Sequence, residues 1–570
     1  MTLSRLLFPT LLPCLLYAQA NLATVTGVVT DSANALVPGV ALTIRNVETN
    51  ITREITTSPT GDYTITNLAP GTYEVKAEMA GFRSYQRTGL VLQVGQVLRL
   101  DIQMELGAVT ESVTVSTAPP TLNTESGTIK GDVIVHEEIQ ELPLDGRDFT
   151  DLAYFVPGVV PKAQGGQGSA MNVNGARATN TNFYVDGFNN RNARGAAAQV
   201  RPNIDALQEF KMEVSGFSAE YGRMAGGILN MVLRSGTNDY HGSLFHYLRN
   251  DILDARGFFD RDKNKLRRNQ FGATLSGPVI RNRTFYLVSF EGYTQVIGLT
   301  RLGHTPTAAE REGDFSSSVD VLAQPVHLKD PFTSGRCTAT ERAGCFPDNR
   351  IPASLFDPIG LKILRYYPLP NRPDIGNNYI VSGSDSDKWY SFLGKVDHRI
   401  NNKDNLSFRF QKRFNRTQSP FDGSDLGIFG IRTRDDRSLA GLDWTHMFSP
   451  TLLVEFRGGF SRSSQFERGE HQGRDIAAEL GLPRLVQEPE FQDFPRITVR
   501  DHFELGTSAS QPVQFHVTDL QYNNKFTWVK SKHVFKGGFD VSRVRYNQPY
   551  FNNQRGTYNF LESTEFPPIS

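Results

Sequence analysis

Cysteine is scarce: the chain of 570 residues holds only Cys14, Cys337 and Cys345, too few for a disulfide-built scaffold. Net charge is also missing, because 60 basic residues balance 60 acidic ones. That balance leaves no overall electrostatic footprint for nucleic acid or an anionic membrane surface, so no nucleic-acid partner is expected. No stretch approaches the roughly 20 apolar residues of a membrane-spanning helix. The chain also lacks an HxxE or HExxH pattern, a GxSxG elbow, a P-loop and a dinucleotide fingerprint, and Gly165-Gly166-Gln167-Gly168 reads only as a flexible loop. No catalytic, cofactor-binding or metal-binding residue is therefore assigned, and an enzyme is not expected.

What is abundant is glycine, 50 residues, and aromatics, 38 Phe and 19 Tyr among them. Many short strands joined by frequent turns give that mixture. Residues 1–20 read as a secretory signal: Arg5, an apolar stretch Leu6–Leu16, and Ala18-Gln19-Ala20 as the cleavage site. Pro13 stands before Cys14, where a lipidation signal needs a small residue. Outside the cytoplasm, Cys337 and Cys345 read as one disulfide closing a small loop, with two unrelated thiols as the alternative. A processed chain without helical spans is either soluble outside the cytoplasm or a transmembrane β-barrel.

Four units follow the signal. Residues 21–105 carry short Val-, Ile- and Thr-rich segments (Ala23–Thr30, Gly39–Asn46, Thr52–Thr57, Gly61–Thr66, Gly71–Met79, Val97–Met104), which predict a small antiparallel β-sandwich. Residues 106–128 form a linker containing Thr110, Glu111, Ser112, Val113, Thr114 and Val115. That run suits either a last sandwich strand or an extended segment that pairs with another protein's sheet edge. Residues 129–236 predict a small α+β unit, with helices over Val135–Glu141, within GRDFTDLAYFVPGV, and over Ile204–Phe210.

From residue 237 to 570 long strands alternate strictly: Leu406, Phe408 and Phe410 with Ser407, Arg409 and Gln411, and Val454, Phe456 and Phe460 with Glu455 and Arg457. Aromatic bands, short turns such as Ser449-Pro450, and a long connection over Thr294–Lys388 predict the first part of a large antiparallel transmembrane barrel. The fold class expected is thus mainly β: sandwich, α+β unit, then an incomplete barrel.

The stretch TGVVTDSANALVPGVALTIRNVETN followed by TTSPTGDYTITNLAPGTYEVKAEMAGF resembles the non-catalytic carboxypeptidase-regulatory-like, transthyretin-like module. IDALQEFKMEVSGFSAEYGRMAGGILNMVLRSGTNDYHGSLF, with GRDFTDLAYFVPGVV and NVNGARATNTNFYVDGFNN, resembles the plug of TonB-dependent receptors. SGTNDYHGSLFHYLRND and the added sandwich make the match similar to the Oar-like subgroup.

The resemblance implies a protein of the bacterial outer membrane, in contact with its lipid. It also implies energised import of a large or scarce ligand of siderophore, glycan or peptide type, with no cofactor. A TonB-type energy-coupling protein of the inner membrane would engage Thr110–Val115, in the place of the TonB box. Arg147, Arg177 and Arg223 of the plug, with Glu291 and Asp397 on barrel strands, are candidates for a charged latch, against the plainer reading that they wet the lumen. Asp186, Asn189, Asn190, Arg191 and Arg194 are candidate ligand contacts, or else a solvated turn. Such barrels close with about 22 strands, and about ten are legible after Tyr240, so an N-terminal fragment is expected. The rival function is a secreted or surface-exposed β-rich adhesion or binding protein without transport.

Overall fold

The structure, a computed structural model, describes residues 22–560 apart from 108–111, 116–129, 143, 162–170, 195, 218–219, 257, 259–262, 320–323, 375–376, 423, 500–501, 509, 531–532 and 550–552. The expected signal lies outside these residues, as does most of the linker. No helix among those described is long and apolar enough to cross a membrane.

Two sheets face each other in the N-terminal sandwich. One joins Asp62–Leu68, Ala23–Asp31, Val97–Arg99 and Ile102–Met104; the other runs Thr52–Thr56, Ala41–Asn46, Gly71–Glu78, Ser84–Leu92, Ser112–Val115. Alternate residues point inward, so Val25, Leu42, Ile44, Val75 and Leu98 fill the core. The sheets are not wholly antiparallel as expected: Val97–Arg99 and Ile102–Met104 run parallel to the first strand, and Ser112–Val115 parallel to Ser84–Leu92. The strand Ser84–Leu92 escaped the sequence pattern because Gln86, Arg87 and Thr88 interrupt its apolar residues.

The α+β unit is a five-stranded sheet ordered Lys130–Val135, Leu207–Ser215, Ile228–Leu233, Asn182–Val185, Phe188–Asn189. A helix does occupy His136–Glu141, but GRDFTDLAYFVPGV forms two 3-10 segments, Asp145–Arg147 and Phe149–Phe155. The helix expected over Ile204–Phe210 is a single turn, Ile204–Ala206, and Leu207–Ser215 is a central strand. Its charged residues Glu209, Lys211 and Glu213 are buried, a burial that only tertiary neighbours provide, Val94 of the sandwich among them at Glu209.

Around this unit curves an antiparallel sheet of nine strands in sequence order: His241–Asn250, Leu266–Ile280, Thr284–Gly303, Tyr379–Arg399, Asp404–Ser419, Ile431–Ser449, Leu452–Gly469, Val513–Lys530 and His533–Asn547. One parity faces outward, leaving Phe408, Phe410, Trp444, Phe456 and Tyr522 exposed, while Arg409, Gln411, Glu455 and Arg457 are buried inward. Greasy outside and polar inside is the demand of lipid on a barrel.

Several strands run 15 to 21 residues, well beyond the roughly ten that cross a bilayer, so the wall continues past the membrane. The long connection is accordingly shorter than expected, because Thr294–Gly303 and Tyr379–Lys388 belong to strands. At the long-loop end a second apolar core forms from Tyr367, Phe429, Ile476, Phe494, Ile497 and Leu505.

Candidate functional site

The α+β unit meets the inner wall through charges that neither partner can leave alone. A tight turn at Asp186 (φ 47°) and Gly187 (φ 82°) joins two short strands and presses the Asp186 carboxylate against the wall. There it lies 3.2 Å from Lys395 Nζ and 3.1 Å from Arg409 Nη1, and it accepts the Leu233 N–H at 2.8 Å. Burial pushes this carboxyl up, but the Lys395 and Arg409 cations outweigh burial and hold it below the ordinary carboxylate range. Lys395 also donates to the Leu233 carbonyl at 3.1 Å, so the wall grips two neighbouring chain segments at once.

A second junction forms at Arg147 (φ 54°). Its guanidinium pairs with Asp205, stands 3.9 Å from Glu291 Oε1, and covers the Phe245 ring at 4.2 Å. Asp205 in turn accepts from Ser243 on the first barrel strand at 2.8 Å. Arg223 is 3.7 Å from Asp540, and both are well exposed. Arg177 is exposed and forms no ion pair among the described residues. Asp397 is met by the Ser235 hydroxyl and, at 4.0 Å, by Lys395. Of the five latch candidates, then, the structure brings together Arg147 and Glu291; Asp186, Asp205, Lys395 and Arg409 add buried charged contacts beside them.

Between these junctions Phe188 seats in a slot. A Cβ at Gly441 or at Gly459 would stand 2.7 Å from its ring, so two glycines on adjacent strands make room for one aromatic. The Arg409 guanidinium lies 4.8 Å from the same ring, and Gln521 exchanges two hydrogen bonds with the Asn189 backbone, at 2.9 and 2.8 Å.

The sandwich closes the short-turn end of the barrel. Val94 N–H donates to Glu209 at 2.6 Å, Asn50 bonds Asn282 at 3.2 Å, and Asn238 N–H donates to the Glu48 carbonyl at 3.1 Å. A cavity of about 550 Å³ remains between sandwich, plug-like unit and wall, bordered by Arg53, His136, Arg234 and Arg399.

Residues 232–567 match the outer membrane beta barrel domain family, residues 123–228 the TonB-dependent receptor plug domain, and residues 24–105 the carboxypeptidase regulatory-like domain. The chain belongs to the TonB-dependent receptors of the outer membrane. The receptor is similar to the TonB-dependent transporter Oar of Myxococcus xanthus, 28% identical over 314 residues, which are 51% of this chain and 28% of that one. A probable TonB-dependent siderophore receptor, PirA of Acinetobacter baumannii, is 27% identical over 173 residues, covering 27% of this chain and 21% of the relative. Among solved structures, the outer membrane transporter YddB of Escherichia coli aligns with a TM-score of 0.46 and 10% identity over 73% of this chain and 48% of the other. The receptor chain spans about a quarter of the length of the curated relatives it matches.

Within the receptor, Ser112–Val115 is the outermost strand of the larger sandwich sheet, with Val113 opposite Tyr85; Thr110 and Glu111 lie outside the described residues. Cys337 and Cys345 are bonded, closing an eight-residue separation in the loop 304–378. The candidate ligand contacts are largely spent internally. Asp186 is ion-paired, Asn190 exchanges hydrogen bonds with Val200, and Arg191 donates to the Thr179 carbonyl. Arg194 is exposed, 4.3 Å over the Phe515 ring.

A site that sequence reasoning missed lies further along the same strands towards the long-loop end, in a hollow of about 200 Å³ bordered by Arg147, Arg201, Arg268, Arg413, Tyr293 and Trp389 and by the carboxylates of Asp148, Glu291 and Asp387. Tyr293 and Trp389 stack at 5.3 Å, and Arg413 covers the Trp389 ring at 4.3 Å. The signal was there in odd-numbered, inward-facing aromatics. Their parity becomes informative only once the register is known.

Proposed function

We propose that the receptor imports a large or scarce ligand of siderophore, glycan or peptide type, drawn in by a TonB-type protein that pulls on Thr110–Val115. The observation that carries this reading is the buried, doubly paired Asp186, which joins plug to wall by contacts a pull can break and relaxation can remake. Truncating one member of such a buried pair costs roughly 3–5 kcal/mol, so the plug stays seated until work is applied.

The ligand in this reading carries a flat group, because the hollow beside Trp389 sets the Arg413 guanidinium over stacked rings, while Arg147 and Arg201 are held by Asp205 and Asp148. The pull is delivered by strand pairing. Ser112–Val115 stands at a sheet edge, so a second strand has a row of backbone groups to join.

The test uses a photo-crosslinking residue at position 113 of the receptor in cells. Capture of the periplasmic domain of a TonB-type protein is expected, and Val113→Pro in the neighbouring frame of an otherwise identical receptor should abolish energised uptake while heat-modifiable migration stays normal. Absence of any such adduct, with the receptor folded in the outer membrane, sinks the assignment.

A further inference from the structure

The cavity of about 550 Å³ between sandwich, plug and wall has the volume of a small-molecule site, roughly 300–1,000 Å³. Each of the three units contributes a guanidinium to it: Arg53 from the sandwich, Arg234 from the plug and Arg399 from the wall. All three are half-buried, and none has a carboxylate partner among the described residues. Arg53 Nη1 lies 3.9 Å from the Met447 sulfur, and Arg399 donates to Asn402 at 2.9 Å. Arg234 donates to His136 Nε2 at 3.3 Å, while the Nδ1–H of that ring is spent on the Leu207 carbonyl at 2.8 Å. Burial and the nearby Arg399 cation both work against the charged form of Arg53.

The acids around the cavity do not answer these cations. Glu48, Glu137 and Asp239 border it but stand exposed to solvent, with no ion pair among the described residues. Asp186, Asp397 and Asp443 are already engaged by Lys395, Arg409, Ser235 and Arg457. Even the buried Arg409 and Arg457 keep one nitrogen each, Nε and Nη1, without a hydrogen-bond partner among the described residues. A buried donor left unmet is costly.

Two further features narrow the guest beyond its charge. Asn67 Oδ1 borders the same cavity as a buried acceptor with no donor among the described residues, so the guest needs a hydroxyl or N–H as well as an anion. Ile51, Leu68 and Pro70 give the sandwich side an apolar face, which suits the C–H face of a sugar ring. Carboxylates for the guanidiniums, hydroxyls for Asn67 and a flat apolar ring face occur together in a sugar acid. The same flat face meets the demand of the hollow beside Trp389.

We infer that this seam cavity is a second binding site, which holds an acidic disaccharide of the uronic acid type on its way through the receptor. Its carboxylates pair with Arg53, Arg234 and Arg399, whose paired N–H donors match carboxylate oxygens. Asp186, Lys395 and Arg409 also border the cavity. When a pull withdraws Asp186, the two wall cations lose their carboxylate, and one from the guest takes its place before moving on to Arg53 and Arg399. The site rests on the import reading and narrows its ligand to an acidic glycan.

The test is calorimetric titration of purified receptor in mild detergent with digalacturonate, its dimethyl ester, suberate (two carboxylates without hydroxyls) and inorganic phosphate. Digalacturonate should bind at least about tenfold more tightly than its ester and about fivefold more tightly than suberate. Arg53→Gln/Arg399→Gln should weaken it about tenfold. Neither arginine has a carboxylate partner among the described residues, so no acid is stranded. Heat-modifiable migration and protection of the Val94 amide report that barrel and seam are intact. Asn67 has φ 63°, a conformation glycine adopts freely, so Asn67→Gly removes the acceptor without strain and should weaken digalacturonate about fivefold. Equal binding of the ester, or an unchanged double variant, overturns the site. Equal binding of suberate, or an unchanged Asn67→Gly receptor, overturns the sugar assignment. Full displacement by millimolar phosphate makes it a free-anion site and overturns it too. Affinity lost in Trp389→Ala but kept in the double variant places the guest in the other hollow and overturns the seam. None of these results touches the import reading, which stands or falls on cross-linking at position 113.

Discussion

Glu209 sits at the seam between sandwich and plug, buried, accepting the Val94 N–H. Burial pushes its carboxyl from 4.5 up to about 7, although the Val94 hydrogen bond and the Lys211 cation oppose that. A carboxyl whose pKa is raised by burial in the assembled seam favours the assembled state while protonated. The stabilisation is full below about pH 4.5 and is lost as pH rises through about 7. The assembled seam should therefore loosen as pH rises through about 7, read as faster hydrogen exchange at the Val94 amide after correction for intrinsic rate. Glu209→Gln should flatten that dependence; a profile unchanged by the substitution would place the titration elsewhere. The charge in QEFKMEVS is visible in the sequence, but its burial is not, because helix and strand readings of Ile204–Phe210 differ only in which neighbours cover it.

At the scale of elements, the plug is positioned by the fit of one hairpin to a smooth place on the wall. Phe188 occupies the room left by Gly441 and Gly459. Gly441→Ala should force the ring outward and cost the plug roughly 1–3 kcal/mol, measured as a lower urea midpoint from a fluorophore placed on the plug. Adding Phe188→Leu should restore part of that loss, since neighbours in one packed contact are not additive. Independent effects of the two changes would show that the hairpin seats elsewhere. The glycines are legible in the strand sequences, whereas their partner is more than 250 positions away and no local pattern joins them. The barrel strands were legible because lipid and lumen impose a period of two on every strand. Ser84–Leu92 was not, because it lies in a sandwich where one face tolerates polar residues.

Across the whole molecule, sandwich, plug and barrel meet at the short-turn end, so the sandwich lies across that end of the wall. Asn50 and Asn282 touch across that gap. Cysteines at both positions, joined by a short bifunctional thiol reagent, should block energised uptake while surface binding of the ligand persists. Uptake at the full rate in the tethered receptor would mean that the sandwich need not move.

Sequence alone determined the order of units, the mainly β class, the barrel's alternation and the family resemblance, because those features are written in local periodicity and in contiguous motifs. Tertiary structure decided which charges meet. Arg147 finds Glu291 and Asp205, while Asp397 finds Ser235 rather than a plug arginine. It also turned Asp186 from a candidate ligand contact into a carboxylate paired with two wall cations. The physical reason is range. Alternation acts over a few residues, but pairing a buried charge needs two strands brought side by side from distant parts of the chain, and only the shared register of the wall does that.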